Sequence, residues 1–304
     1  MRLGVLDVGS NTVNLQIMDA HHGSPPVPHQ SFKDEIQIAQ FLDASGAVSA
    51  LGISKLTSTL NRLKNEARGV QIDEMLAFAT SSIREATNAD EIIETVAELT
   101  GIELEVLSSE EEASFTFLAV RRWIGWSAGD AIMLDIGGGS LEIAYGKEEV
   151  PEFSASVMLG AGRMTRQFLQ GDPFTEKSIE KLREHIEITL KPLKKSIGVT
   201  SGRSALGTSK TIRTLRRIQQ SYLPELGNSL TAEGLSIIVP KLVKMSTDQR
   251  CELPGVSSGR AQQIVAGALV AQAAMATFEI SKLSICPWAL REGIVLQRID
   301  WLKS

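Results

Sequence analysis

The chain is poor in the residues that would place it in several large protein classes. It has only two cysteines, Cys251 and Cys286, and four histidines, with no spacing that builds a metal centre or a redox pair. Both thiols therefore read as free and core-buried, as expected in a reducing compartment. Basic excess is also missing, since 31 Lys and Arg stand against 36 Asp and Glu for a formal charge of −5. That balance argues against nucleic acid or a membrane surface as a general partner, so any polyanion must find a local basic lining. No long apolar run is present either: the longest, Ile264 to Phe278, is interrupted by Gln272 and is too short to span a bilayer. The start, MRLGVLDVGS, has no secretory apolar core, so the expected address is cytoplasmic.

What the chain does have is length and apolar content. Its 304 residues, 43% of them hydrophobic, suffice for two domains of about 150 residues each. Periodicity predicts mixed α/β order. RLGVLDVG, VNLQIMDA and KDEIQIAQF read as three successive strands. A helix is predicted from Ile53 to Ala67, then a buried strand at MLAFAT, then a helix capped by Asn88 with Glu91 as its box partner and stopped by Gly101. IELEVL is a strand and Ser109 to Trp123 a helix. After AIMLDIGGGSLEIAYG come helices near 161–170, 176–196, 208–220, 232–245 and 259–278, the strand KLSIC, and a last helix from Leu290 to Leu302.

One pattern occurs twice. Asp7-Val8-Gly9-Ser10-Asn11 and Asp135-Ile136-Gly137-Gly138-Gly139-Ser140 each end an apolar strand with Asp, an apolar residue, Gly and a small polar residue, and a second strand follows within a few positions. A duplicated domain accounts for this. Each copy offers a hairpin whose glycines let backbone amides approach an anion closely.

Together with Ala79-Thr80-Ser81-Ser82-Ile83-Arg84-Glu85-Ala86, Glu111-Glu112-Ala113 and the late CPWALREGIVL, these motifs make the chain resemble the exopolyphosphatase/guanosine pentaphosphate phosphohydrolase (Ppx/GppA) family over nearly its whole length. The resemblance implies an α/β protein of two actin-like, ribonuclease-H-like domains of the acetate kinase, sugar kinase and actin superfamily, flanking an active-site cleft. The expected division is 1–122 and 123–287, with a last helix at about 288–304 packing back on the first domain. Longer members carry further helical domains, so the chain resembles the short, two-domain type. The implied reaction is metal-dependent removal of the terminal phosphate of inorganic polyphosphate, with pppGpp as the competing substrate. Relatives are often dimers, which leaves a homodimer open.

Roles follow residue by residue. On the strand after the glycine turn, Ser140 and Glu142 share one face and Leu141, Ile143 and Tyr145 the other. Asp135, Glu142 and Asp7 would then form a carboxylate set suited to Mg²⁺, with Mn²⁺ as the alternative. Glu112 is the first choice for the base that deprotonates water, with Glu111 beside it. A structural reading competes, because Ser108 with Glu111 and Ser109 with Glu112 are both capping-box pairs. For substrate phosphate the candidates are the loop residues Gly9, Ser10 and Asn11, the turn residues Gly137, Gly138, Gly139 and Ser140, and Arg84, whose guanidinium can bind bidentately. Gly207, Thr208 and Ser209 open a helix inside a stretch without acidic residues from Glu187 to Glu225, and Lys210 follows them. Gly160-Ala161-Gly162-Arg163 is a weaker anion candidate. No adenosine-specific feature is legible, which sets a kinase of the same fold second. A non-catalytic nucleotide or alarmone sensor is the third reading.

Overall fold

Every residue from Leu3 to Leu6 is buried, and the side chains of this strand divide by parity between two cores. A strand of that kind needs packing on both faces. The computed structural model, which describes residues 1–197 and 203–302, shows how that packing is supplied. The chain divides into two units, Met1–Thr116 with Leu290–Ser304, and Phe117–Ala289.

The strands are β1 (Arg2–Val8), β2 (Thr12–Asp19), β3 (Val27–Glu35), β4 (Glu74–Ala79), β5 (Glu105–Val106), β6 (Ala131–Ile136), β7 (Leu141–Gly146), β8 (Phe153–Val157), β9 (Ser204–Gly207), β10 (Leu230–Thr231) and β11 (Lys282–Ile285). The helices are α1 (Ala50–Glu66), α2 (Ser81–Arg84), α3 (Ala89–Thr100), α4 (Ser109–Ile124), α5 (Ala161–Phe168), α6 (Glu176–Ile197), α7 (Lys210–Tyr222), α8 (Ala232–Lys244), α9 (Thr247–Cys251), α10 (Ser258–Ala261), α11 (Ile264–Thr277) and α12 (Leu290–Trp301).

In the first unit the sheet order is β3-β2-β1-β4-β5, with β1 antiparallel to β2 and parallel to β4. Leu6, Val8, Leu15 and Ile17 pack on one face with Leu56 and Leu60 of α1 and Ile92 and Val96 of α3. Leu3, Val5 and Met18 pack on the other with Ile294, Val295 and Ile299 of α12. Arg298 ties α12 to β4 through Glu74 at 2.9 Å. The glycine of the REG motif has a packing reason, since a Cβ on Gly293 would lie 1.8 Å from the carbonyl oxygen of Phe115. Only glycine lets the two backbones approach that closely.

In the second unit the order is β10-β11-β9-β6-β7-β8. Leaving out the edge strand β10, β8-β7-β6-β9-β11 repeats the order of the first sheet strand for strand, with the same antiparallel hairpin and the same parallel neighbour. The duplication read from the two Asp-x-Gly turns thus extends to whole units. Ile132, Leu134 and Ile136 face a large core whose centre is α11, a helix apolar on all sides and buried from Ile264 to Ala271. Ala131 and Met133 face Phe117 and Val120 of α4.

Three local expectations need correction. The third strand is Val27–Glu35 and not KDEIQIAQF, because the alternating Ile36 and Ile38 lead into a 3₁₀ turn at Ile38–Phe41 and bury there. Asn88 stands at the start of α3 without capping it; its side chain instead pairs both ways with the backbone of Val48, at 2.8 and 3.0 Å. Of the two free cysteines, only Cys286 is buried, whereas Cys251 at the end of α9 is exposed.

Candidate active site

The second hairpin places its two carboxylates by register. Asp135 on β6 lies directly opposite Glu142 on β7, so both stand on one face of the sheet. Like charges in that position destabilise a sheet unless something offsets them. The hydroxyl of Thr208, wholly buried, donates to Asp135, and Ser156 of β8 donates to Oε1 of Glu142 at 2.9 Å. A pair of hard oxygen donors, one of them only 3% exposed, has the chemistry of a divalent-cation site of the Mg²⁺ type, which needs only one or two protein carboxylates. Among the described residues no three His, Cys, Asp or Glu side chains gather into a metal-binding group. Asp7 lies on the first hairpin, opposite Asn14.

The glycine turn between the carboxylates is held from one side. The amide of Ala161 donates to the carbonyl of Gly137 at 2.9 Å, that of Arg163 to Gly138 at 2.9 Å, and that of Gly160 to Gly139 at 3.2 Å. Arg163 adds Nε to the carbonyl of Gly139 at 3.0 Å. Because a trans peptide sets its C=O and the following N–H in opposite directions, the amides of Gly138, Gly139 and Ser140 point away from α5. They make no hydrogen bond among the described residues. Amides left free in a glycine turn can bind an anion. The start of α5 therefore differs from its expected role: its own amides are spent on the turn, and Gly160-Ala161-Gly162-Arg163 is a clasp. Gly160 is obligatory, as a Cβ there would stand 2.2 Å from the carbonyl carbon of Gly139.

The segment after β9 also serves the fold more than expected. Gly207 makes room for Ile212, 2.6 Å from where a Cβ would sit. Ser209 caps α7 by accepting from the amide of Ile212 at 3.2 Å. The amide of Thr208 donates to Leu134 at 3.3 Å and its hydroxyl to Asp135. Lys210, the first residue of α7, is exposed. In the first unit, Gly9 donates to the carbonyl of Thr12 at 3.0 Å, and the carbonyl of Asn11 accepts from Ile36 and Gln37 at 3.0 and 3.2 Å. Ser10 sits between them at the turn.

The two glutamates at the start of α4 are separated by their partners. Glu111 forms the box with Ser108: its carboxylate accepts from the Ser108 amide at 2.8 Å and its amide donates to the Ser108 hydroxyl at 3.2 Å. Hydrogen bonds from the Ser108 side chain and backbone hold the Glu111 carboxyl below its ordinary value. Glu112 instead meets Arg84, whose Nη1 reaches Oε2 at 3.0 Å and the carbonyl of Leu107 at 2.7 Å. The other terminal nitrogen of Arg84 is buried with no partner among the described residues. A half-buried guanidinium with a spare donor next to a carboxylate can take a phosphate oxygen without leaving its partner.

Several of these partners escaped the sequence reading: Ser156, the Thr208–Asp135 bond, the α5 clasp and Asn14. For Asn14 a signal existed, because it follows Asp7 at the same interval at which Glu142 follows Asp135.

Two units of one sheet order, each opened by an acidic, glycine-bearing hairpin, define an actin-like duplication. The chain belongs to the Ppx/GppA phosphatase family, whose pattern matches residues 17–301. It is 45% identical over 305 residues to Exopolyphosphatase 1 of Mycobacterium tuberculosis, a match that covers 99% of this chain and 89% of that protein. It is 44% identical over 306 residues to Exopolyphosphatase 1 of Mycobacterium leprae, covering 99% and 90%. Among solved structures, the Aquifex aeolicus Ppx/GppA family member superposes with a TM-score of 0.82 at 25% identity, covering 100% of this chain and 99% of that one. An exopolyphosphatase from Cytophaga hutchinsonii superposes at 0.88 with 22% identity, covering 99% and 98%, a likeness of fold.

Proposed function

We propose that this protein is an exopolyphosphatase that hydrolyses the terminal phosphoanhydride of inorganic polyphosphate and releases orthophosphate. The observation that carries the mechanism is the split between Glu111 and Glu112. Glu111 is committed to the helix start, so the base role falls to Glu112. There it accepts the proton of the attacking water while Arg84, at 3.0 Å, holds the carboxylate in place. The spare nitrogen of Arg84 and the amides of Gly138, Gly139 and Ser140 bind phosphate oxygens, with Gly9, Ser10 and Asn11 as the corresponding loop of the first unit. The exposed ammonium of Lys210 adds positive charge beside the Gly207-Thr208-Ser209 turn.

Asp135 and Glu142 are the residues that would hold Mg²⁺, or Mn²⁺ in its place. A bound divalent ion supplies charge neutralisation for the transferred and leaving phosphates, which carry most of the charge in a loose transition state. Thr208 and Ser156 orient the two carboxylates toward that task.

The support for hydrolase over kinase is the Glu112–Arg84 pair together with the two exopolyphosphatases at 44–45% identity. The competing substrate is pppGpp. Purified protein given Mg²⁺ and either substrate in parallel should release orthophosphate, faster from polyphosphate. Release from neither sinks the hydrolase reading, and release from pppGpp alone replaces the substrate.

A further inference from the structure

The first hairpin repeats the backbone of the second but not its charge. Gly9 donates to the carbonyl of Thr12 at 3.0 Å, and Gly137 to that of Ser140 at 2.9 Å. Asp7 pairs across the strands with Asn14, and Asp135 with Glu142. A serine of the third strand reaches each side chain, from different register positions: Ser31, opposite Gln16, donates to Asn14 Oδ1 at 3.0 Å, and Ser156, opposite Glu142, to Glu142 Oε1 at 2.9 Å, while Lys33 stands opposite Asn14. Asn14 and Glu142 are both buried, at 8% and 3% exposure. At the position opposite the aspartate, then, the first hairpin carries a carboxamide and the second a carboxylate one methylene longer.

That exchange reverses what the position can offer. A carboxylate presents lone pairs only, whereas a carboxamide whose oxygen is already taken by Ser31 presents two N–H donors. Two facing carboxylates select a cation. One carboxylate beside an amide donor has half the charge, and the donor offers a phosphate oxygen a partner. We infer that Asn14 is the residue that divides labour between the two hairpins, reserving the first for phosphate and leaving the divalent cation to the second. The inference rests on the reading of Asp135 and Glu142 as the metal pair.

The test is direct titration of Mn²⁺ into the full-length protein without substrate, counting bound ion by electron paramagnetic resonance. Wild type should take up a single equivalent, and E142Q should lose it. N14D, which keeps the size of the side chain and its bond from Ser31, and N14E, which matches the length of the second hairpin's acid, should gain a second equivalent. Its affinity should be lower than that of the first, since Lys33 stands opposite position 14 where the second hairpin has Ser156. Adding D7N to N14D should remove it again.

If N14D and N14E melt as the wild type does and still bind a single equivalent, the inference is overturned while the metal pair stands. Two equivalents on the wild type overturn it as well. If the wild type binds no ion that E142Q removes, the metal-pair reading falls and the inference with it. Should N14E fail to fold, N14D alone decides the matter.

Discussion

The two hairpins share a sheet position, a turn hydrogen bond and a cross-strand aspartate, yet their surroundings have moved apart. The second is supported on every side: Thr208 holds Asp135, Ser156 holds Glu142, and α5 clasps all three glycine carbonyls. The first is held differently, with the carbonyl of Asn11 pinned to Ile36 and Gln37 and Ser31 on Asn14. Its unit adds a glutamate and an arginine in contact at 3.0 Å, Glu112 and Arg84. Duplication supplied the same frame twice, and in the function proposed above the surrounding side chains decide which copy manages cation and which manages proton transfer. A shared fold therefore says little about which half does the chemistry.

The largest effect should come from the first unit. E112Q removes the only base assigned and should cut turnover by about 10²–10⁴-fold, measured as orthophosphate release at saturating substrate, with little change in substrate affinity. E142Q should lower activity by removing half of the carboxylate pair. Its defect should shrink as metal concentration rises, which E112Q's should not.

Next in size is the clasp. G160A drives a methyl group to within 2.2 Å of the Gly139 backbone, so the turn must shift. We expect a loss of about 1–3 kcal/mol in thermal unfolding together with weaker phosphate binding. G9A in the first hairpin meets the Thr12 carbonyl at 3.3 Å and the Asp7 carboxylate at 3.9 Å and should cost less than about 1 kcal/mol. Equal losses in the two variants would mean that the hairpins are supported alike.

How much of this was legible in the sequence depended on distance along the chain. The two turns and the face shared by Ser140 and Glu142 are read from local residue types and spacing and need no partner. The edge strand β3 was hidden because its residues are mostly exposed and carry no apolar alternation. The alternation that is visible nearby belongs to Ile36 and Ile38, which bury outside any strand. Arg84 with Glu112, Asn88 with Val48, and α5 with the glycine turn are pairings between distant segments. Nothing local to either partner encodes them. The capping-box pattern, by contrast, was visible twice, and only the structure shows that Ser108–Glu111 forms while Glu112 turns to Arg84.

The smallest effect is at that box. E111A should leave turnover within about twofold and cost about 0.5–1 kcal/mol of stability at neutral pH. Because Ser108 lowers the Glu111 carboxyl below its ordinary value, the contribution is present above the unfolded-state pKa and is lost as pH falls through the lowered one. The gap between wild type and E111A in urea melts should therefore close on acidification through the carboxylate range. A gap that widens there would contradict the assignment of Glu111 to the cap.

The division of labour is tested most directly by measuring orthophosphate release from polyphosphate by wild type, E112Q and E142Q across a range of Mn²⁺ concentrations. E142Q should climb toward wild-type rates as Mn²⁺ increases, while E112Q stays low at every concentration. Wild-type turnover by E112Q, or an E142Q metal dependence that overlays the wild type, would contradict it.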